Sequence, residues 1–524
     1  MLYYRLRLMS GASGLDRSHL LRKENVTRPA DVKRGELPRE RPGIIYGALA
    51  QLVARDIRIV EVRGSTPLCS TYKSSDSLSS FLKKSGWLIR ILIPDQPCKG
   101  EGGVIMEYIK RHIESFAKET YDSFKCLLVT GARQTGKSTM LGHIYPDLSM
   151  VTLDDEFVRD QARENPASFV QMNQPPVFYD EVQYAPELFS QIKIWCDRSE
   201  KKGLFCLSGS QPLHLMKNVS ESLSGRVGIL NLMGLSLREI EKIDFNRSFL
   251  PTMDYIDERR SSAKSPENIW EIIHRGSYPG VQDSQVNWGT FYSSYVTTYL
   301  ERDVRSLSAV QNLSDFRKFM VAVAARTGQM LNYSNIADEV GRDEKTIRNW
   351  MSILEASGIA FILEPYSSSA LKRAIKTPKV YFCDTGLAAW LTRWLTADAL
   401  ANGAMSGAFF ETFVINEIIK SYTNCGKDYR FSFSYYRGKD RTRTTASRET
   451  KQLESEIDLI IEENGILYPI EIKKNDRVTA DQSAAFQVLD QIGTKQRGTG
   501  AIICCCSQPA MLRENVFALP YWYI

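Results

Sequence analysis

The sequence predicts an α/β protein of several domains: a parallel-sheet domain with a phosphate loop, a helical winged-helix module, and a small α/β domain near the C-terminus. Three observations predict this organisation. An apolar run leads into a glycine-rich loop and a helical pattern near residue 131. Strand and helix patterns alternate over residues 106–240. A mostly helical stretch over residues 241–366 is followed by a second α/β pattern over residues 405–524.

Residues 1–105 are the least regular part of the chain. They contain a basic, turn-rich stretch and short strand-like runs, without helix periodicity or a motif. Two interpretations follow, a small accessory domain or a dispensable extension. Met106 begins an amphipathic helical pattern, which makes it a candidate natural start.

Composition allows several folded domains and does not by itself define a partner. The 524 residues correspond to about three to four domains of typical size. The hydrophobic fraction of 43% and the charged fraction of 24% are ordinary for a globular protein. The net charge of +6 is a mild basic excess, compatible with nucleic acid but not diagnostic of it.

Cysteine usage favours a reducing compartment. The ten cysteines show no C-x-x-C spacing and there are only five histidines, so no zinc site is expected. The run Cys504–Cys506 is typical of a buried strand, and we infer a cytoplasmic location. No apolar run approaches the ~20 residues that span a bilayer, and arginines interrupt the apolar N-terminus, so neither a membrane partner nor a signal peptide is expected.

The phosphate loop fits G-x-x-x-x-G-K-[ST] at every fixed position and lies between a predicted strand and a predicted helix. Its glycines let backbone N–H groups face a phosphate, and the following helix adds its positive end. Lys137 is predicted to reach the β- and γ-phosphates of ATP, and Ser138 to hold Mg²⁺. The predicted nucleotide-binding residues here are Gly131, Ala132, Arg133, Gln134, Thr135, Gly136, Lys137, Ser138 and Thr139.

Two acidic residues follow the apolar run Val177–Tyr179 downstream of the loop. Asp180 ends this predicted strand and is placed to hold Mg²⁺ through water. Glu181 is placed to activate the water that attacks the γ-phosphate. Together with the loop, this pair predicts nucleotide hydrolysis.

Three further polar residues are candidates with open alternatives. Ser210 and Gln211 follow the next predicted strand, where they either sense the γ-phosphate or form a plain turn. Arg226 either stabilises transition-state charge, within the chain or across a subunit boundary, or forms a surface ion pair. From position alone, the surface interpretation of Arg226 is favoured.

The middle of the chain contains a helical segment over 241–310 and a predicted winged helix-turn-helix over 311–366. Three helices are predicted at Asp315–Ala325, Asn335–Val340 and Glu344–Ala356, with wing strands in Gly358–Leu363. The third helix carries Lys345, Arg348 and Asn349 on a polar face that suits a DNA groove. The alternative is a packing or dimerisation module. Residues 367–404 are interpreted as a connecting segment.

Several motifs in this order resemble a prokaryotic family of AAA-type ATPases that carry a C-terminal domain of unknown function. The resemblance covers residues 106–524. It implies an AAA-type core, a winged-helix module, a restriction-endonuclease-like terminal domain, possible oligomers, and a nucleotide-sensing role for Arg226. The motifs are GARQTGKST, VFYDEVQ, LSGSQ, SLSGRVG, YLERDVRSL, YSNIADEVGRDEKTIRNWMSILEASGI, FETFVINEI, EIDLII and YPIEIKK.

A second predicted site lies in residues 405–524. Asp458 lies in a predicted strand, and Glu471 and Lys473 share one face of the next strand after the Asn464-Gly465 turn. The carboxylates would bind Mg²⁺ while Lys473 orients the attacking water. Glu417, or Glu411, on the preceding helix would add a carboxylate. This spacing resembles the D…ExK pattern of restriction-type nucleases.

These patterns leave two functional hypotheses. In one, an ATP- and Mg²⁺-dependent ATPase controls a nuclease-like module that acts on DNA. In the other, the protein is a nucleotide-switched regulator that binds DNA or a protein, with an inactive C-terminal site. The basic stretch Arg437–Lys451, interpreted as a mobile loop, is compatible with a DNA partner in either case.

Overall fold

The computed structural model describes residues 59–61, 90–91, 107–210, 219, 221–300, 304, 310, 312–366, 376–444, 450–492 and 495–524, with side chains left out over 440–453. The chain forms two compact units, Met1–Met106 and Glu107–Ile524. In the first unit, β1 (Ile59–Glu61) pairs antiparallel with β2 (Arg90–Ile91). The accessory domain and the dispensable extension, the two interpretations of residues 1–105, otherwise concern residues that the structure does not describe.

The second unit contains a parallel sheet, as the alternating pattern predicts, and this sheet has five strands. Its strands, in chain order, are β3 (Cys126–Thr130), β4 (Ser149–Thr152), β5 (Val177–Asp180), β6 (Phe205–Gly209) and β7 (Val227–Asn231). Their order across the sheet is β4-β5-β6-β3-β7, and every neighbouring pair is parallel. The central strand β3 therefore delivers the phosphate loop to the middle of the sheet's carboxyl edge.

Helices cover both faces of this sheet. Leu128 packs into one apolar cluster, whereas Leu127 and Val129 pack into the cluster on the other face, because successive side chains alternate. Burial on both sides explains the continuous apolar run of β3. The helices are α1 (Glu114–Ser123), α2 (Lys137–Ile144), α3 (Glu156–Glu164), α4 (Pro166–Met172) and α5 (Leu188–Arg198).

A helical part follows the sheet and anchors the end of the chain. Arg238 Nε donates to the carbonyl oxygen of Ile524 at 2.8 Å, and Arg259 Nη2 donates to that of Trp522 at 2.8 Å. Both arginines are almost completely buried, so these bonds tie the C-terminus to the middle of the chain. The helices here are α6 (Leu237–Ile240), α7 (Met253–Arg260), α8 (Ile269–Arg275) and α9 (Trp288–Tyr299).

The predicted helix-turn-helix region contains three helices and a three-stranded antiparallel sheet. The elements are α10 (Leu313–Ala324), β8 (Gln329–Met330), α11 (Tyr333–Val340), α12 (Glu344–Ala356), β9 (Ala360–Leu363) and β10 (Lys379–Phe382). The middle strand β10 pairs with β8 and β9. The three helices agree with the prediction within about two residues, as expected for helix ends.

The connecting segment proposed for residues 367–404 requires a correction. It contributes β10 to the sheet, and the helices α13 (Thr385–Leu391) and α14 (Ala397–Asn402). All four residues of β10 are buried, because the strand is sandwiched between its neighbours and packed on the core. Such a short strand has no periodicity that the sequence could reveal.

The C-terminal domain is a mixed sheet with one long buried helix. Its elements are α15 (Ser406–Thr423), β11 (Phe433–Thr444), β12 (Thr450–Glu463), β13 (Ile466–Ile472), β14 (Gln496–Arg497), β15 (Gly500–Cys504), β16 (Ala510–Arg513) and β17 (Val516–Pro520). The order is β11-β12-β13-β15-β17-β16, with β14 beside β13. Asn464 and Gly465 connect β12 to β13 with positive φ angles of 54° and 77°, which confirms the predicted hairpin.

The interpretation of Arg437–Lys451 as a mobile loop is wrong for most of its length. Pairing between β11 and β12 extends from Arg437 opposite Glu456 to Thr444 opposite Thr450. Cross-strand charge pairing supports the ribbon, since Arg437 Nε lies 2.9 Å from Glu454 Oε1. None of the helices in the described ranges is long and apolar enough to cross a bilayer.

Candidate functional site

The phosphate loop depends on two glycines with positive φ. Gly131 has φ = 140° and Gly136 has φ = 89°, a region that L-residues rarely adopt. A Cβ on Gly131 would lie 2.2 Å from the carbonyl oxygen of Leu232, so no other residue fits there without a shift. Helix α2 then begins at Lys137 and directs its N-terminus at the loop. This geometry suits a phosphate group.

The side chains of the loop are held from several directions. Lys137 is buried, and its Nζ donates to the carbonyl oxygens of Ala132 at 2.8 Å and Gly131 at 3.2 Å. Thr135 Oγ1 also donates to Ala132 O, at 3.0 Å. Arg133 Nη2 donates to the Tyr184 hydroxyl at 2.9 Å. Gln134 and Thr139 are exposed at the mouth of the loop and in the first turn of α2.

Asp180 meets Ser138 at the carboxyl edge of the sheet. Ser138 Oγ donates to Asp180 Oδ1 at 2.6 Å, and Ser208 Oγ donates to the same oxygen. Asp180 is buried at the end of β5. A hydroxyl and a carboxylate beside a phosphate loop are the oxygen donors that Mg²⁺ prefers, so these residues fit the predicted metal.

Glu181 is next to this pair and is held by two neighbours. Its backbone has φ = 55°, and its Oε2 accepts hydrogen bonds from Ser210 Oγ at 3.0 Å and from Gln183 Nε2. Its backbone N–H donates to Ser208 Oγ at 3.3 Å. The structure therefore brings Lys137, Ser138, Asp180 and Glu181 together at one edge, as predicted. Gln183 is a contact that the sequence analysis missed.

Arg111 supports the loop from behind and was also missed. Its guanidinium donates to the carbonyl oxygens of Thr135 at 2.9 Å and Met233 at 2.7 Å, and forms a 3.1 Å ion pair with Glu239. The side chains of Arg111 and Glu239 are buried in the interior of the domain. The residue lies 24 positions before Thr135, so no local motif signals the contact.

One predicted residue, Arg226, does not join this group. Arg226 immediately precedes β7, whose opposite end, Asn231, is the one beside the loop. Five strand residues separate these ends by roughly 16 Å. Arg226 instead forms a 2.6 Å ion pair with Asp197, so it lies too far away to contact a nucleotide in its own chain. Gln211 lies outside the described residues.

A second polar cluster lies in a pocket of about 520 Å³ between the three-stranded sheet and the C-terminal domain. Asp458 Oδ2 accepts from the Ile472 backbone N–H at 2.8 Å, and Lys473 Nζ lies 2.6 Å from Glu471 Oε1. Asp458, Glu471 and Lys473 therefore converge, as the D…ExK pattern predicts. Glu456 and Arg437 also line this pocket.

Lys379 extends into this cluster from β10. Its Nζ lies 2.7 Å from Glu456 Oε1, 3.0 Å from Glu411 Oε1 and 3.7 Å from Asp458 Oδ1. Burial alone would lower the pKa of Lys379, but Tyr381 and the three carboxylates outweigh it and raise that pKa. The side chain is therefore a buried cation.

Burial raises the pKa of two carboxyl groups in the pocket. It raises the pKa of Glu471 to about 8 and that of Glu411 to about 7, and in both cases the neighbouring Asp458 carboxylate adds to the rise. Glu471 Oε2 is buried without a hydrogen-bond partner. Among the described residues, no three His, Cys, Asp or Glu side chains are arranged to hold a metal ion.

Glu417, the helix carboxylate placed first in the prediction, lies elsewhere. Its Oε2 accepts from the Leu237 backbone N–H at 2.7 Å and its Oε1 from Lys420 Nζ at 2.8 Å. Glu411 lines the pocket instead. The two positions are six residues apart on the helix. At about 100° per residue this is about 600°, so the two side chains point in directions about 120° apart around the axis. The helix orientation decides which one faces the pocket, and only the fold sets it.

Comparison with known families assigns parts of the chain. Residues 123–241 match the family model described as an AAA domain. Residues 406–524 and 266–398 match two models described as domains of unknown function, DUF4143 and DUF8612. Two uncharacterized mycobacterial proteins, from Mycobacterium bovis and Mycobacterium tuberculosis, are each 25% identical over 370 residues, which is 70% of this chain and 74% of theirs.

Solved structures show weaker overall similarity. A Walker-type ATPase of Pyrococcus abyssi aligns over 57% of this chain and 99% of its own, with 16% identity and a TM-score of 0.37. AMPPCP-bound DnaA from Aquifex aeolicus aligns over 46% of this chain and 85% of its own, with 13% identity and a TM-score of 0.24. Scores this low carry no argument about function. The family match supports an AAA-type ATPase domain over residues 123–241, whereas the winged-helix and nuclease-like modules stay predictions.

Proposed function

We propose that this protein is a cytoplasmic Mg²⁺-dependent ATPase whose nucleotide state controls the helix-turn-helix region and the C-terminal pocket, with DNA as the ligand of these modules. The observation that carries the ATPase assignment is the 2.6 Å hydrogen bond between Ser138 and Asp180, with Glu181 beside it. In a chance glycine turn, nothing would place a loop serine against a buried carboxylate from another strand. A nucleotide site requires that arrangement.

Each residue has a defined task in hydrolysis. The ammonium of Lys137 exchanges its carbonyl partners in the loop for phosphate oxygens. Mg²⁺, when bound by Ser138 and Asp180, neutralises phosphate charge. Glu181 orients and deprotonates the attacking water, which requires release of its carboxylate from Gln183 and Ser210. Arg226 of a neighbouring copy is positioned to stabilise transition-state charge only if the protein oligomerises.

The link from input to output begins at the phosphate loop itself. A Cβ built on Gly358 would lie 3.4 Å from both the backbone nitrogen and the Cβ of Ala132, so this turn packs directly on the loop. Gly358 has φ = 68° and connects α12 to β9. A change in loop conformation on nucleotide binding would therefore act directly on the turn at Gly358 in the helix-turn-helix region.

Two substitutions test the ATPase assignment. Lys137→Ala should abolish ATP binding or turnover, because it removes the only ammonium inside the described loop. Glu181→Gln should retain ATP binding and lose hydrolysis by about 10²-fold or more. Lys118→Ala, on the exposed side of α1, is the matched control and should behave as wild type. Undiminished hydrolysis by Lys137→Ala would refute the assignment.

A second candidate function is a nucleotide-switched regulator without nuclease chemistry. The position of Lys379 among the carboxylates favours it, since an ammonium there competes with a metal ion. This function predicts ATP-dependent DNA binding that is indifferent to Glu471→Ala and weakened by charge reversal at the exposed Lys345 and Arg348. Metal-dependent DNA cleavage that Glu471→Ala and Lys473→Ala abolish would instead establish the nuclease.

A further inference from the structure

The C-terminal pocket is built from two sheets of the fold and the helix that packs between them. Glu411 comes from α15, and Glu456, Asp458 and Glu471 come from β12 and β13 of the C-terminal domain. Lys379 comes from β10, the middle strand of the other sheet. Only 3% of its side chain is exposed, and its ammonium lies within 4 Å of three carboxylates.

A second observation is that one acidic oxygen of the pocket is buried without a hydrogen-bond partner. Glu471 is more than nine-tenths buried and lines the pocket, and its Oε1 bonds Lys473 whereas its Oε2 has no hydrogen-bond partner. A buried polar oxygen without a partner is costly, so a ligand that contacts Glu471 Oε2 would be stabilised there.

We propose that Lys379 is a tethered cation that occupies the cation position of the C-terminal site and excludes divalent metal as long as β10 stays in place. This inference rests on the proposed assignment of Asp458 and Glu471 as metal ligands. A divalent ion held by Asp458 and Glu471 would lie beside the Lys379 ammonium, because Lys379 Nζ is only 3.7 Å from Asp458 Oδ1. Repulsion between the two cations makes the ammonium and the metal alternatives at this position. The site therefore takes up metal only after the lysine leaves.

The strand pairing connects this lysine to the phosphate loop. Gly358 packs on the loop and precedes β9, which pairs along its whole length with β10, from Ala360 opposite Phe382 to Leu363 opposite Lys379. Four ladder positions span roughly 10–13 Å. This pairing is a continuous backbone connection from the loop to the lysine that occupies the pocket.

Manganese titration of the nucleotide-free full-length protein, followed by electron paramagnetic resonance, tests the proposal. Lys379→Gln should gain one Mn²⁺ site at least about tenfold tighter than any in wild type, and adding Glu471→Gln should abolish it. Lys379→Arg keeps the cation and should resemble wild type. Lys495→Gln is the matched control, because Lys495 pairs with both oxygens of Glu462 outside the pocket. No additional site in a folded Lys379→Gln protein would overturn the proposal.

A measurement that needs no lysine variant covers the case in which Lys379→Gln does not fold. Wild type and Glu471→Gln should give the same Mn²⁺ titration, because metal does not reach the site in either protein. A Glu471-dependent Mn²⁺ site in wild type would contradict the exclusion. ATP binding to the phosphate loop is measured in the same samples. If ATP binds normally while a Glu471-dependent Mn²⁺ site is present in wild type, the exclusion by Lys379 is wrong and the nucleotide-binding assignment is unaffected.

Discussion

Ser138 and Asp180 are joined by a 2.6 Å hydrogen bond that reaches across three strands of the sheet. Ser138 follows β3, Asp180 ends β5, and Ser208 of the intervening strand β6 donates to the same carboxylate oxygen. The bond exists because all three parallel strands end at the same edge. The carboxylate proposed to hold Mg²⁺ therefore lies beside the loop with Glu181 next to it, and this leads to the first prediction.

Asp180→Asn should lower Mg²⁺-dependent ATP hydrolysis by about 10²-fold, in the range typical for removal of one preorganised charged group. The amide is nearly isosteric, so the hydrogen bond to Ser138 can persist while the negative charge is lost. ATPase rates over a Mg²⁺ titration give the measurement. Asp122→Asn, on the exposed face of α1, serves as control, and equal rates for the two variants would contradict the assigned role.

Gly131→Ala should reduce the free energy of unfolding by roughly 1–3 kcal/mol or more and abolish ATP binding. The reason is twofold: φ is 140°, and the added Cβ would meet the Leu232 carbonyl oxygen at 2.2 Å. Gly142→Ala in α2 meets no atom within 4 Å and should stabilise the helix by up to about 1 kcal/mol. Thermal unfolding of the two variants should therefore shift in opposite directions.

Arg226→Ala should leave the affinity for ATP unchanged, because the residue lies at the far end of β7 from the loop of its own chain. If Arg226 acts on a neighbouring copy, hydrolysis should fall while binding persists. Mixing Arg226→Ala with Lys137→Ala should then restore activity, since mixed assemblies contain one complete site. The mixture must be measured at concentrations where the protein self-associates. If its activity then only equals the sum of the two separate variants, Arg226 does not act across subunits, and its role is the surface ion pair with Asp197.

Glu471→Gln should stabilise the protein increasingly as the pH rises from about 5 to about 9. Burial first, and Asp458 second, raise the pKa of Glu471 from its usual 4.5 to about 8 in the folded protein. The folded state therefore binds more protons than the unfolded chain over this window, and its stability falls as the pH rises. Glutamine removes that loss.

Unfolding temperatures of wild type and Glu471→Gln across this pH range give the measurement. The variant's advantage should be smallest at the acidic end, where the wild-type carboxyl is protonated in the folded state. Glu119→Gln, at an exposed position of α1, is the control and should show no such trend. A pH-independent difference would show that burial does not perturb Glu471.

The sequence by itself determined the features that depend on neighbouring residues. The glycines of the loop, the apolar strand before it, Asp180-Glu181 and the Asn464-Gly465 turn all rest on local backbone geometry, and each has the predicted structure. A parallel sheet was predicted from the alternating strands and helices, and the structure adds β7 as its fifth strand. These features can be predicted from sequence because the backbone conformation or apolar face that each one needs is supplied by residues adjacent in the chain.

Only the tertiary structure decided which distant side chains meet. Arg111 supports the loop, Gln183 holds Glu181, and Glu411 takes the place predicted for Glu417. Lys379 enters the carboxylate cluster from a strand too short to show a pattern. These contacts depend on how each helix is rotated about its axis and on how the domains pack. Both are set by the apolar surface buried over the whole core, and no local run of residues reveals them.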